Sequence, residues 1–236
     1  MYTLVIKDNE YKVPDYLSLD KWSEVNKYDI RVKFTWDRII SIVMNIPQDD
    51  VEIIPDNTKE LIILMVTTLI NPLIVIPYKE VGDGKFIDLN SVTLGKFIDI
   101  ELQIADGVQK NLKNIVDLLY ETNIDKDISI KKVLGGVNQY LKWRDSIYAG
   151  YKNLFLVNGD EDGYAQDDDF YKSTVEDIKH SWFEIIMLLA NEDILRMEQV
   201  TEQSVIKAFN WLAWNKDRQQ KELERQNDLQ RNNRHI

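Results

Sequence analysis

The sequence predicts an α+β protein that is mainly α-helical, with a small N-terminal β element packed on a helical body. Two short β-rich segments, residues 3–7 and 10–13, flank Asp8-Asn9, which is the pattern of a β-hairpin. After Ser18, apolar residues recur mostly at helical spacing. The part that begins at Phe170 holds three of the six tryptophans and ends in a polar, charged tail. These features indicate a packed helical body, with a last helix that extends beyond it.

Caps and breakers set the predicted limits of each element. Ser18, Thr35, Thr93 and Thr201 are expected to open helices, and Asn57 or Thr58 another. In chain order, the helices are predicted over residues 19–27, 35–47, 59–69, 93–105, 108–120, 130–157, 170–190 and 201–225. Short strands are predicted at 74–76 and 86–89 around Gly82-Asp83-Gly84. Gly135-Gly136 is compatible with a break in its helix or with a close helix contact.

The best division of the chain by composition lies between residues 92 and 93. Residues 1–92 form a small α+β part, and residues 93–236 form a helical part with a charged C-terminal helix. No repeat and no low-complexity linker marks the joint.

Composition narrows the classes of partner. The net charge of −11 over 236 residues means that most of the surface repels nucleic acid and anionic membranes. A local basic patch is still compatible with this net charge. There is no cysteine, hence no disulfide or thiol chemistry. The N-terminus lacks the features of a signal peptide, and the most apolar run, residues 61–77, is split by Asn71-Pro72. We therefore expect a soluble protein that neither spans a membrane nor is exported by a signal peptide.

Residues 158–169 match much of the pattern of a calcium-binding EF-hand loop. Oxygen ligands fall at loop positions 1, 3, 5 and 12, and glycine at position 6 is Gly163. The four candidate metal ligands are Asn158, Asp160, Asp162 and Asp169. Asn replaces the usual Asp at position 1, Asp replaces the longer Glu at position 12, and no second loop is present to form a pair. The alternative is a solvated acidic loop that places negative charge at the next helix N-terminus.

Nothing in the sequence assembles a catalytic site. The two histidines, His180 and His235, have no visible partner set, and neither glycine cluster forms a phosphate or dinucleotide loop. The prediction is therefore a non-enzymatic protein with no cofactor other than the calcium considered above.

The candidate partner-binding residues lie near the C-terminus. Trp211 and Trp214 are three residues apart and share a helix face, and Arg218 follows on the polar tail. An exposed tryptophan face anchors interfaces. Since no aromatic residue interleaves the basic residues of the tail from Asn215 onward, the tail predicts a protein partner rather than nucleic acid. The alternative is that both rings complete the protein's own core and the tail frays.

The order of several segments resembles small proteins of tailed bacteriophages. The first set is residues 86–89, 93–101, Asn111-Leu112 and 115–120; the second is Trp182 through Ile194, then 212–214 and the charged tail. The resemblance spans roughly residues 86–225 and is one of layout. It implies a tail, baseplate or head–tail component of a virion, or a tail-assembly chaperone absent from the mature particle. Its partners would be other virion or assembly proteins or copies of itself, in the virion or the cytoplasm of the infected cell. A regulatory binding module with a weak calcium loop is the other class left open.

Overall fold

The computed structural model describes residues 2–72, 76–155 and 174–233 and confirms the predicted class, α+β and mainly α. Two small antiparallel sheets of two strands each accompany many helices, and the first sheet is N-terminal. The chain divides into two compact units that interleave in sequence. Unit 1 comprises Met1–Ile87 and Gly107–Gln139, and unit 2 comprises Asp88–Asp106 and Tyr140–Ile236. Residues 107–139, which the composition placed in the helical part, thus group with the N-terminal residues.

Unit 1 begins with a hairpin of β1 (Thr3–Ile6) and β2 (Asn9–Lys12), paired from Thr3↔Lys12 to Ile6↔Asn9. Its two-residue turn, Lys7-Asp8, has positive φ at both positions, as such hairpins require. The hairpin is joined to the helices by Asp50, whose carboxylate accepts hydrogen bonds from Lys7 Nζ at 2.8 Å and Tyr11 Oη at 3.2 Å.

The helices of unit 1 bury the apolar positions that the periodicity selected. They are α1 (Leu19–Val25), α2 (Trp36–Met44), α3 (Gln48–Glu52), α4 (Asp56–Ile70), α6 (Leu112–Tyr120) and residues 130–139 of α7 (Ile130–Gly150), with a 3₁₀ turn at Lys33–Thr35. Helix α4 begins earlier than predicted, because Pro55 rather than Asn57 or Thr58 precedes its first turn. Buried Trp22 of α1 donates its indole N–H to the carbonyl of Ile70 at 3.1 Å.

The second hairpin corrects the predicted strands. β3 (Glu80–Val81) and β4 (Gly84–Lys85) flank the turn directly, and residues 86–89 are not a strand. The reason is that Ile87 donates its backbone N–H to Leu119 O at the end of α6, while the Phe86 ring packs edge-on against Tyr120 at 5.4 Å. Of the other predicted strand, residues 74 and 75 lie outside the described residues.

Helix α7 runs without a break through Gly135-Gly136, so the close-contact reading of this pair is the right one. A Cβ on Gly136 would lie 2.6 Å from the Tyr120 hydroxyl oxygen, and one on Gly135 would overlap the backbone of Ile76. Both glycines are therefore required by packing in unit 1 rather than by a turn.

Unit 2 is built from α5 (Leu94–Ala105), residues 140–150 of α7, α8 (Lys152–Phe155), α9 (Val175–Leu189), α10 (Met197–Thr201) and α11 (Val205–Asn233), with a 3₁₀ turn at Ile194–Arg196. Its core centres on Phe97, whose ring lies 5.7–6.1 Å from four other rings: Trp143, Tyr148, Trp182 and Phe209. These rings meet at tilted or edge-on angles, the geometry that aromatic pairs prefer.

Helices α5 and α11 start side by side. Leu94 N donates to Gln203 O at 2.7 Å and Val205 N donates to Val92 O at 3.0 Å, across an isolated antiparallel bridge between Thr93 and Ser204. Thr93 caps α5 as predicted. Thr201, in contrast, ends α10 instead of opening the last helix, which begins at Val205 and extends past the predicted end to Asn233.

Candidate protein-interaction site

Helix α11 is held in unit 2 by one apolar face over its first three turns. Its buried side chains recur at helical spacing: Val205, Ala208, Phe209, Leu212 and Asn215. Polar contacts then fasten the helix to the start of α8. Tyr151 Oη donates to Asn210 Oδ1 at 2.8 Å, and Lys216 Nζ donates to the carbonyl of Asn153. These contacts fix which side of α11 faces outward.

The two tryptophans predicted to bind a partner lie on that outward side. Trp211 is 40% exposed and Trp214 is 56% exposed, whereas Trp182 in the core is 7% exposed. The interpretation that both rings complete the core is therefore wrong. A ring with half its surface in water gains free energy when a partner covers it.

Arg218, the third predicted residue, lies one turn beyond Trp214. Its guanidinium carbon is 4.9 Å from the centre of the Trp214 ring, and Nη2 donates to Asn215 Oδ1 at 3.1 Å. This cation–π contact restrains both side chains, and Arg218 is exposed to solvent. The structure thus brings Trp211, Trp214 and Arg218 onto one surface.

A groove of about 190 Å³ adjoins Trp211. It runs between the end of α9, α10 and the start of α11, and its lining is mostly apolar: Leu189, Val200, Gln203, Lys207, Ala208 and Trp211. Lys207, exposed and without an ion pair among the described residues, is its one charged lining residue. Spacing alone could have found Lys207, because it lies four residues before Trp211.

Beyond Lys216 the helix is no longer covered by the described part of the chain. From Asp217 to Asn227 each residue is exposed. Isolated helices of this length are marginal in water, and most helical stability comes from packing an apolar face. Leu223 and Leu229 are both more than half exposed. We call residues 217–233 the free turns of α11. A partner that covers them would bury their apolar side chains and stabilise the helix.

A buried polar cluster in unit 2 escaped the sequence analysis. The carboxylate of Glu101 on α5 is 4% exposed and accepts from Arg144 Nε at 2.8 and 2.9 Å, Tyr148 Oη at 2.9 Å and Tyr140 Oη at 3.3 Å. Burial raises the pKa of Glu101, against the effect of Arg144 and the two hydroxyls. Burial likewise raises the pKa of both tyrosines. Every carboxylate oxygen is occupied, so the cluster joins α5 to α7 within unit 2 rather than forming an open site.

The proposed calcium loop cannot be placed. Its four ligands, Asn158, Asp160, Asp162 and Asp169, lie outside the described residues, so the calcium site stays a prediction. Within residues 2–72, 76–155 and 174–233, three or more Asp, Glu or His side chains do not converge as a metal-binding group. His180 is exposed and lies 3.3 Å from Glu184 on the same helix. Among the helices that the structure describes, none combines the length and apolarity needed to cross a membrane.

Searches for similar proteins return nothing for this chain: no protein-family model, curated protein or solved structure matches it.

Proposed function

We propose that this protein is a non-enzymatic structural or assembly protein of a tailed bacteriophage, in the tail, baseplate or head–tail region. It acts through protein–protein contacts made by the outward face of α11. Its place is the virion or the cytoplasm of the infected cell, and its partners are other virion proteins or copies of itself. The observation that carries the proposal is the exposed pair Trp211 and Trp214 on a helix that continues past the body.

The chemistry of this face favours a protein partner. Tryptophan and arginine are the residues most enriched among those that dominate binding energy at protein interfaces. Here Trp214 and Arg218 are preordered by their mutual contact, so less side-chain entropy is lost when a partner binds. The phage assignment itself rests on the resemblance in segment order over residues 86–225.

Mass spectrometry of purified virions tests the assignment. A structural component is present in fixed stoichiometry with known tail or head proteins. An assembly chaperone is made during infection but is absent from the mature particle, so its absence would move the assignment to that alternative. Absence from both virions and assembly intermediates would refute the proposal.

A further inference from the structure

One face of α11 carries a continuous row of tryptophans and cations. Its members are spaced alternately four and three residues apart, which keeps them within about 40° of one line at 100° per residue. We call this row the cationic stripe: Lys207, Trp211, Trp214, Arg218, Lys221 and Arg225. All six are exposed. Three acidic residues of the helix, Asp217, Glu222 and Glu224, lie to either side of the row, and a fourth, Asp228, follows its end.

The stripe has the opposite charge to the rest of the chain. Residues 205–233 contain six basic and four acidic residues, of the chain's 29 basic and 40 acidic. Outside the helix there remain 23 basic and 36 acidic residues. The cationic stripe therefore complements the surface of its own protein, and a second copy supplies that surface wherever the protein is present.

One surface of unit 2 complements the stripe and its groove in polarity. The 3₁₀ turn after α9 projects Ile194, 69% exposed, and Leu195, 85% exposed. Glu192 and Glu198 flank the two apolar residues, and neither makes an ion pair among the described residues. The one cation of the turn, Arg196, is engaged by Asp193 at 3.1 Å. We call residues 192–198 the acidic tip.

The groove beside the stripe has the character that the acidic tip requires. Its apolar lining accepts an aliphatic side chain, and Lys207 and Arg218 offer charge near Trp211 and Trp214. The acidic tip leads directly into α10, which contributes Val200 to the same groove. Tip and groove thus neighbour each other on one unit, the arrangement that lets two copies exchange the same contact about a two-fold axis.

We propose that two copies of this chain pair through these surfaces, with Leu195 of each copy in the groove of the other and its flanking carboxylates against the cationic stripe. This inference rests on the proposed function only in taking the outward face of α11 as a protein-binding surface. Nucleic acid and an anionic membrane are poorer occupants, because the rest of the chain carries 36 acidic against 23 basic residues and repels both.

Analytical ultracentrifugation measures the pairing. The intact chain is expected to form dimers whose dissociation constant rises with salt between about 0.05 and about 0.5 M, since the contact is partly ionic. Lys207→Gln with Arg218→Gln removes the two charges of the stripe that lie nearest the groove and is expected to weaken the dimer about fivefold or more. The matched control, Gln219→Glu with Gln226→Glu, changes net charge equally on another side of the helix and leaves the dimer intact. Leu195→Asp abolishes the dimer, and circular dichroism verifies that all variants fold.

Cross-linking locates the contact, because the chain has no native cysteine. A Leu195→Cys protein is mixed with a Lys207→Cys protein and oxidised, and a disulfide-linked heterodimer is expected. As a control, Lys179→Cys replaces Leu195→Cys in the mixture, and no heterodimer is expected. Three results overturn the inference: a monomer at all concentrations, a dimer indifferent to Leu195 and the stripe, or stripe-dependent binding of a labelled single-stranded oligonucleotide or of anionic vesicles by a monomer. If the protein is a monomer but is found in virions, the pairing is overturned and the proposed function stands. If it is a dimer but is absent from virions and assembly intermediates, the proposed function is overturned and the pairing stands.

Discussion

The ring of Trp214 lies 4.9 Å from the guanidinium carbon of Arg218, one helical turn further along α11. The contact holds a half-exposed indole and an arginine in fixed orientations at the point where the helix leaves the body of unit 2. Two side chains that are costly to immobilise are thereby partly ordered before a partner arrives.

Truncating the exposed tryptophans is expected to cost binding rather than folding. Trp211→Ala and Trp214→Ala should each weaken partner binding by about 1–2 kcal/mol or more, because such anchors dominate interfaces. Their effect on the free energy of unfolding should be much smaller than that of Trp182→Ala, which leaves a cavity and costs about 3–5 kcal/mol. Urea unfolding and binding are measured on the same three variants. Equal losses of stability for all three would contradict the exposed-interface interpretation.

The Glu101–Arg144 pair predicts a stability effect that depends on which partner is removed. Arg144→Met leaves a buried carboxylate without its cation and is expected to cost about 3–5 kcal/mol. Combining it with Glu101→Gln removes the unpaired charge, so the double variant should be more stable than Arg144→Met alone. Urea unfolding followed by circular dichroism checks this. If the double variant is no more stable than Arg144→Met, the stability lost in Arg144→Met does not come from the unpaired charge of Glu101.

Much of the fold could be predicted, because local rules decide it. Ser18 and Thr93 accept the capping hydrogen bonds from Lys21 N and Lys96 N that their positions predict. Apolar periodicity selected Ile39, Ile40 and other residues that are in fact fully buried. Capping and periodicity involve residues only a few positions apart, which is why one sequence suffices.

What could not be predicted depends on long-range pairing. Glu101 meets Tyr140, Arg144 and Tyr148 across roughly 40 positions of sequence, and no local pattern encodes that meeting. Similarly, Thr201 looks like a cap, but the bridge between Thr93 and Ser204 sets the start of α11 three residues later. The tryptophan face and its basic extension from Lys207 to Arg225 follow from helical spacing, but only the structure shows that all six side chains are exposed.

Asp50 predicts a pH dependence of the N-terminal hairpin. Hydrogen bonding to Lys7 holds the pKa of Asp50 below its usual value of 3.8. Because the folded pKa is depressed, the stabilisation is fully present above pH 3.8 and is lost as pH falls through the folded value. Asp50→Asn should lower stability near neutral pH and flatten this acid-side decline. Hydrogen exchange or unfolding at several pH values measures it; an unchanged pH profile in the variant would rule out Asp50 as the source.

The acidic loop makes a separate prediction for calcium. If residues 158–169 bind the ion, calorimetry at millimolar calcium gives a saturable heat that Asp160→Ala with Asp162→Ala abolishes, because two of the four oxygen ligands are gone. Asp167→Ala with Asp168→Ala is the matched control, since it also removes two charges from the loop without touching a candidate ligand. Identical titrations for the intact chain and the double variant would leave only the solvated acidic loop.

The final prediction concerns the free turns of α11. Deleting residues 219–236 removes Lys221 and Arg225 from the cationic stripe but leaves the buried face from Val205 to Asn215 and the contact of Lys216 with Asn153. Because the deleted turns bury nothing in the described structure, the melting temperature of the truncated protein should stay close to that of the intact chain. The proposed function predicts that its incorporation into phage particles during infection falls sharply, since the stripe proposed to bind the partner is incomplete. A truncated protein that enters particles as well as the intact chain would show that the extension is dispensable and that Trp211 and Trp214 act without it.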